Sequence, residues 1–279
     1  MANMEREPIL SARDVEISFS LRGKKLNAIR RCSLDLYQGE TLAIVGESGS
    51  GKSVFTKSFL GMLDANGSIT GGSILFEGKD LAKYKTEKDW MTIRGKKISM
   101  VMQDPMTSLN PLKKVGKQIQ ECIELHQGLK GAVAKKATLQ ILEKVGIPYP
   151  EMRYNQYPHE FSGGMRQRAM IAMALSCEPG LLIADEPTTA LDVPIQAQVL
   201  SLMKELNERL GTATILITHN LGCASSICDR IIVMYGGKIM EEGTTEEIFY
   251  EPHHPYTMGL LNSVPKVTGE ASKERLVPI

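Results

Sequence analysis

With 279 residues, the chain is long enough to bury a sizeable core on folding, so it needs neither disulfides nor a structural metal for stability. Its 33 basic and 32 acidic side chains leave a net charge of +1, which excludes the global positive field that draws many proteins onto nucleic acid. The five cysteines form no C-x-x-C pair and no apolar run is long enough to span a membrane, so the composition predicts a cytosolic protein that reaches any membrane through a partner.

Strand and helix patterns are mixed from end to end, which predicts an α/β fold. Short β-branched runs bounded by turn residues predict strands; these runs are TLAIV (41–45), SILFEG (73–78), ISMVMQ (98–103), LLIAD (181–185), TILIT (214–218) and RIIVMYGGKIMEEG (230–243). Helical periodicity covers residues 53–63, 117–145, 165–176 and 195–210. LLIAD and TILIT are apolar almost throughout, as parallel strands covered on both faces are. The stretch from about 111 to 158 has no strand pattern and predicts an inserted helical subdomain.

The stretch GESGSGKS, residues 46–53, lies between a predicted strand and a predicted helix. Its glycines let successive N–H groups point inward around a polyphosphate, and the following helix adds its dipole. In this pattern Lys52 reaches the β- and γ-phosphates and the Ser53 hydroxyl is a Mg²⁺ ligand. The alternative is a plain glycine turn, but Lys-Ser at this offset favours a nucleoside triphosphate. The predicted nucleotide-binding positions are Gly46, Glu47, Ser48, Gly49, Ser50, Gly51, Lys52, Ser53 and Val54.

Two carboxylates follow the buried strand LLIAD. Asp185 ends that strand and Glu186 comes next, where unpaired charges would be costly without a cation or proton chemistry. Asp185 fits a Mg²⁺ ligand and Glu186 a general base that polarises attacking water. His219 directly follows the strand TILIT and is a candidate for contact with the γ-phosphate or that water. The alternative for His219 alone is a histidine with ordinary partners at a strand end.

At FSGGMRQR, residues 161–168, the chain resembles the signature sequence of ATP-binding-cassette (ABC) ATPases. The other family motifs occur in the family order: the phosphate loop, Gln103 in VMQDP, the signature, LLIADE, TTALD ending in Asp192, and His219. The resemblance implies a P-loop NTPase (RecA-like) core with an antiparallel β subdomain and an α-helical subdomain inserted at about 111–176. It implies an ATPase domain over 1–250 and an enzyme that hydrolyses ATP with Mg²⁺.

The resemblance also implies further site residues. Ser162, Gly163 and Gly164 would bind the ATP held by a second cassette, because they open a helix whose first N–H groups are available to a phosphate. Gln103 would contact Mg²⁺ and Asp192 would lie in the loop that crosses the dimer interface. Phe19 resembles the aromatic that stacks on adenine. The alternative for Gln103 is an ordinary polar residue after a strand. The alternative for Phe19 is an aromatic residue of the core.

Three longer stretches narrow the resemblance. QDPMTSLNP (103–111), TTALDVPIQAQVL (188–200) and HHPYTMGLLNSVP (253–265) are similar to the ATPases of oligopeptide, dipeptide and nickel importers, and most similar to the D-type subunit of peptide permeases. This similarity implies four partners in function: a second homologous ATPase subunit in a heterodimer, two membrane-spanning permease chains and an extracytoplasmic substrate-binding protein. It also implies a location at the cytoplasmic face of the cell membrane and a C-terminal extension over 251–279.

Other functions remain open at this point. A nickel or metallophore importer is the alternative within transport. Soluble ABC ATPases that act on ribosomes or DNA are the alternative outside it, although their paired cassettes, coiled coils and zinc modules have no counterpart among these motifs. The adjacent His253 and His254 invite a metal site, but neighbouring side chains of an extended segment point apart, so the segment is interpreted as a docking extension.

Overall fold

The computed structural model describes residues 7–21, 23–104, 108–189 and 191–263. Parts of three sequence motifs, residues 105–107, 190 and 264–265, lie outside the described residues, as does the predicted extension beyond 263. The strands are β1 (Leu10–Leu21), β2 (Lys24–Leu36), β3 (Thr41–Val45), β4 (Gly67–Phe76), β5 (Lys79–Asp80), β6 (Ile98–Val101), β7 (Leu181–Asp185), β8 (Ala213–Thr218), β9 (Arg230–Tyr235) and β10 (Lys238–Thr244). The helices are α1 (Lys52–Ser58), α2 (Glu87–Met91), α3 (Val115–Gln127), α4 (Gly131–Lys144), α5 (Pro150–Tyr154), α6 (Gly163–Leu175), α7 (Val193–Leu210), α8 (Leu221–Ile227), α9 (Thr245–Tyr250) and α10 (Pro255–Asn262).

The chain forms two compact units. The first comprises Met1–Ile9, Leu36–Glu40 and Lys83–Ile215, and the second comprises Leu10–Asp35, Thr41–Ala82 and Leu216–Ile279. Each unit is therefore assembled from separate chain segments. β8 begins in the first unit and ends in the second.

The first unit contains most of the helices. β6 pairs in parallel with β7, in the register Ile98↔Leu181. All five residues of β7 are buried, as its apolar sequence predicts for a parallel strand covered on both faces. Between β6 and β7 lie α3 to α6, and no strand occurs among the described residues of 111–158, in agreement with the predicted helical insertion.

The second unit contains two groups of strands. The antiparallel sheet has the order β2-β1-β4-β5, and the other strands have the order β10-β9-β3. β3 runs parallel to β9 and is buried along its whole length, while β10 runs antiparallel to β9. α1 follows β3 directly after the phosphate loop.

Several predicted element boundaries were wrong. The single helix predicted over 117–145 is two helices, because Gly128 adopts a left-handed conformation (φ +71°) that ends α3. RIIVMYGGKIMEEG is a hairpin, since Gly236 and Gly237 both have positive φ and form a two-residue turn. The helix predicted to reach residue 63 ends at Ser58, and the strands predicted over 73–78 and 98–103 end two residues early. Gly61 (φ +60°) closes the turn after α1.

Among the described residues, no helix combines the length and apolar character that crossing a bilayer requires.

Candidate functional site

The phosphate loop follows the buried strand β3. Three of its glycines have positive φ: +149° at Gly46, +81° at Gly49 and +104° at Gly51. At Gly46 a Cβ would lie 2.1 Å from the main-chain oxygen of Met234, and at Gly51 it would lie 2.7 Å from Cδ1 of Ile29. Both conformation and space therefore require glycine, and the loop keeps the open backbone that an approaching polyphosphate needs.

Lys52 places its ammonium group inside this loop. The residue is 5% exposed, and Nζ donates to the main-chain oxygens of Gly46 and Glu47, each at 2.8 Å. A buried cation held against backbone carbonyls, within a ring of glycine-rich backbone, is a chemical match for a triphosphate. Ser53 follows in the first turn of α1, where its hydroxyl offers an oxygen ligand of the kind that Mg²⁺ prefers.

The two predicted catalytic carboxylates lie at the end of β7. Asp185 is the last residue of the strand and is 6% exposed, so its carboxylate also suits a hard cation. Glu186 has φ +47°, a left-handed conformation that non-glycine residues seldom adopt. Its Oε2 accepts hydrogen bonds from Gln103 Nε2 at 2.8 Å and from Thr189 Oγ1 at 3.0 Å. One oxygen of the predicted base is thus held by donors from two residues.

The signature residues form the start of α6. Ser162 is the N-cap, and its hydroxyl accepts the N–H of Met165 at 3.3 Å. At Gly164 a Cβ would lie 2.8 Å from Cγ2 of Ile195, so the glycine permits close contact with α7. Asp192 caps α7 through its backbone alone, since its exposed carboxylate makes no capping hydrogen bond to that helix. The signature and Asp192 therefore lie at the starts of two helices in contact.

Two further predicted residues lie in the second unit. Phe19 is half-buried in β1, with its ring against Gly67, and lines a pocket of about 260 Å³. Ser18, Ser20, Lys24, Lys25 and Asn66 also line this pocket. His219 is exposed in the turn between β8 and α8, just before Asn220, which caps α8.

The structure brings the predicted residues together in groups. The phosphate loop and Lys52 form one group, Gln103 and Glu186 a second, and the signature with Asp192 a third. The pairing of Lys52 with Asp185 and of Glu186 with His219 stays a prediction. Sequence reasoning missed Thr189. In the sequence its signal is its position three residues after the predicted base Glu186, and in the structure its N–H donates to the Glu186 carbonyl at 3.3 Å.

His253 and His254 have backbone and capping roles. Their N–H groups donate to the Glu241 carboxylate at 2.6 and 3.1 Å, and His254 Nδ1 accepts the N–H of Tyr256 at the start of α10. Burial alone would raise the pKa of Glu241, but the Thr257 side chain and these two N–H groups outweigh it and lower that pKa. Across the described ranges no group of three or more His, Cys, Asp or Glu side chains is arranged to hold a metal ion.

Comparison with known families gives two matches. Residues 29–189 match the family described as ABC transporter. Residues 240–278 match a second family, described as oligopeptide/dipeptide transporter, C-terminal region.

Among characterised proteins, the chain is 53% identical over 274 residues to the oligopeptide transport ATP-binding protein AmiE of Streptococcus pneumoniae, covering 98% of this chain and 77% of that protein. It is 54% identical over 267 residues to OppD, the oligopeptide transport ATP-binding protein of Bacillus subtilis, covering 95% and 74%. It is also 50% identical over 277 residues to the dipeptide transport ATP-binding protein DppD of Lactococcus lactis, covering 99% and 78%.

Solved structures with the same fold include the ATP-binding cassette MJ0796 in a dimeric post-hydrolysis state bound to ADP and Pi. The TM-score is 0.74 at 27% identity, and the match covers 85% of this chain and 98% of that chain. CbiO1 of Clostridium perfringens, part of the ABC transporter complex cbiONQ, matches with a TM-score of 0.75 at 28% identity, covering 88% and 92%.

Proposed function

This chain belongs to the ABC transporter family, and we propose that it is the ATP-hydrolysing subunit of an importer that takes up oligopeptides or dipeptides across the cytoplasmic membrane. The observation that carries the proposal is the joint match of residues 29–189 to ABC transporters and of 240–278 to the oligopeptide/dipeptide transporter C-terminal region. The three relatives named above are ATP-binding proteins of oligopeptide or dipeptide transport, which favours peptides over nickel or a metallophore.

ATP would bind with its phosphates in the loop from Gly46 to Val54, where Lys52 offers its ammonium group. Ser53, Asp185 and Gln103 would hold Mg²⁺ through oxygen ligands, which suits this hard cation. The bound cation supplies charge neutralisation at the β- and γ-phosphates. Phe19 would stack on adenine, and its half-buried ring at the edge of a 260 Å³ pocket is compatible with that role.

Glu186 would act as the general base for the attacking water, and His219 would lie beside that water. Water oxygen attacks the γ-phosphorus, Glu186 takes up the proton, and the bond from the γ-phosphorus to the β–γ bridging oxygen breaks to leave ADP and inorganic phosphate. The hydrogen bonds from Gln103 and Thr189 support this role, because they fix the direction of the Glu186 carboxylate before the substrate arrives.

The signature implies a second cassette. Ser162, Gly163 and Gly164 begin α6 in this chain, so they would close over the ATP held by the partner, with Asp192 in the loop that crosses between the two. We propose a heterodimer with a homologous ATPase subunit, bound to two membrane-spanning permease subunits that receive peptide from an extracytoplasmic binding protein. The cassette pair closed around ATP would bind one facing of the permease more tightly than the other. This difference in affinity would move the permease from one facing to the other.

The same proposal places the chain at the cytoplasmic face of the membrane, held there by its partners. It divides the chain into an ATPase domain over 1–250, with the helical subdomain at about 111–176, and a C-terminal extension over 251–279.

The test is affinity isolation of the chain from its native membrane in mild detergent, followed by identification of the subunits that accompany it. We expect two membrane chains and a second cassette, with ATPase activity that rises when binding protein and peptide are added. Isolation with ribosomes or DNA-repair proteins, or as a soluble homodimer alone, would show that the transport proposal is wrong.

A further inference from the structure

The C-terminal helix contacts the phosphate loop directly. Tyr256, the second residue of α10, is 8% exposed, and its hydroxyl accepts the backbone N–H of Glu47 at 3.2 Å. Glu47 is the second residue of the loop, next to Gly46. A residue from the region that matches peptide transporters therefore bonds to the loop that all P-loop proteins share.

Glu47 is held from two directions. Its N–H points to the Tyr256 hydroxyl, and its carbonyl accepts from Lys52 Nζ at 2.8 Å. The peptide plane on one side of Glu47 is thus fixed by Tyr256, and the plane on the other side by the ammonium group that would meet the phosphates. A change in the first contact alters the position of the carbonyl that Lys52 uses.

The position of Tyr256 is itself well determined. Its ring contacts the ring of Tyr235 with centroids 4.7 Å apart, and its N–H donates to His254 Nδ1 at 3.1 Å. Tyr235 ends β9, and the following turn residue Gly237 donates its N–H to the Ser50 carbonyl at 2.9 Å. The β9–β10 hairpin and α10 therefore hold the phosphate loop at two separate points.

We propose that Tyr256 is a positioning residue of the ATP site, which holds the Glu47 amide and so prepares the loop for nucleotide. The C-terminal region thereby becomes part of the nucleotide site in addition to any docking role. This inference rests on the proposed function of the phosphate loop. Burial and the nearby Glu47 carboxylate raise the pKa of Tyr256, so the hydroxyl stays neutral at physiological pH and remains an acceptor for the amide.

The test compares Tyr256→Phe with Tyr235→Phe in the full chain. Each variant loses one hydroxyl and keeps its ring, and the hydrogen bond to the Glu47 amide belongs to the Tyr256 hydroxyl. Affinity for the non-hydrolysable analogue AMP-PNP is measured by calorimetric titration with Mg²⁺, together with KM, kcat and the melting temperature. Because one hydrogen bond contributes modestly to stability, we expect Tyr256→Phe to weaken AMP-PNP binding and raise the KM for ATP about fivefold, with kcat within about twofold.

Tyr235→Phe should leave both affinity and KM unchanged. Equal effects of the two variants would show that the change does not come from the hydrogen bond to Glu47 and would overturn the inference, as would unchanged affinity in Tyr256→Phe. A fall in melting temperature and kcat without a change in affinity or KM would indicate a purely structural role and would also overturn it. Lys52→Ala separates the proposed role of the loop from the proposed role of Tyr256. If Lys52→Ala binds AMP-PNP normally, the assignment of the loop itself is wrong. If Lys52→Ala loses binding while Tyr256→Phe binds AMP-PNP normally, only the role of Tyr256 is refuted.

Discussion

Gln103 donates a hydrogen bond from Nε2 to Oε2 of Glu186 at 2.8 Å. The same oxygen accepts from Thr189, and the backbone of Glu186 is left-handed at φ +47°. Non-glycine residues in this conformation are strained and persist where the surrounding structure fixes them, often at functional sites. The three observations together identify Glu186 as a carboxylate whose orientation is set by the fold.

Replacing Glu186 tests its proposed role as the general base. Glu186→Gln keeps the shape of the side chain but cannot accept the proton of water, so turnover should fall roughly 100- to 10,000-fold while ATP remains bound. Steady-state phosphate release and nucleotide titration measure the two quantities. The control is Glu205→Gln, which removes an exposed carboxylate from α7 and should leave turnover unchanged. Hydrolysis by Glu186→Gln near the normal rate would contradict the assignment.

Thr189 provides a finer test, because its hydroxyl contacts Glu186, the proposed base, and it was not predicted as a site residue. Thr189→Val removes the donor and keeps the side-chain shape, so we expect kcat to fall about three- to tenfold with ATP affinity unchanged. Thr189→Ser retains the hydroxyl and should restore most of kcat. If valine and serine behave alike, the hydroxyl does not position Glu186.

The helical insertion depends on close contact at Gly116. A Cβ at this position in α3 would lie 2.1 Å from Cδ2 of Tyr154, near the end of α5. Gly116→Ala should therefore lower the free energy of unfolding by roughly 3 kcal/mol, as overpacking of a buried site does. Val133→Ala on the exposed face of α4 is the control and should change it by less than about 0.5 kcal/mol. Urea titration followed by circular dichroism compares the variants, and equal midpoints would show that α3 and α5 can move apart at no cost.

The Glu241 carboxylate makes the C-terminal segment sensitive to acid. Although burial acts in the opposite sense, the Thr257 side chain and the N–H groups of His253 and His254 lower its pKa below the ordinary 4.5. Since the folded pKa is the lower one, the carboxylate stabilises the fold above pH 4.5 and this contribution is lost as the pH falls through the folded pKa.

The melting-temperature difference between wild type and Glu241→Gln should accordingly be largest near neutral pH and shrink below pH 4.5. Glu246→Gln, on the neighbouring helix α9, is the control for charge removal and should show no comparable trend. A difference that stays constant from neutral pH to about pH 3.5 would mean that Glu241 does not act through its charge.

The glycine-rich loop, Lys52 and the carboxylates Asp185 and Glu186 could be identified as candidate site residues from the sequence because their chemistry restricts the residue types. Gly46 has no space for a Cβ beside the Met234 main-chain oxygen, Gly51 has a φ of +104° that favours glycine, and Lys52 supplies the buried cation. β3, β7 and β8 were also predictable, since strands buried on both faces consist almost entirely of apolar residues.

The strand β1 was not among the predicted strands, because a bulge interrupts its alternation. Leu10 and Ala12 are buried, and after Asp14 (φ +45°) the buried positions shift to Val15 and Ile17. The bulge divides the alternating pattern into two short parts, although the strand is continuous. The contact between Tyr256 and Glu47 was unpredictable for a different reason: it joins residues 209 positions apart, and no local pattern records such a contact.

The parallel pairing of β3 with β9 has a consequence for synthesis of the chain. Thr41 at the start of β3 donates its N–H to Asp229, 188 residues later. At roughly 5–20 residues per second, translation leaves β3 without this neighbour for about 10 to 40 s. Throughout that interval a strand with four apolar residues among its five, TLAIV, has an unpaired edge, which is a site for aggregation. Shielding of this edge is therefore expected to matter until β9 has been synthesised.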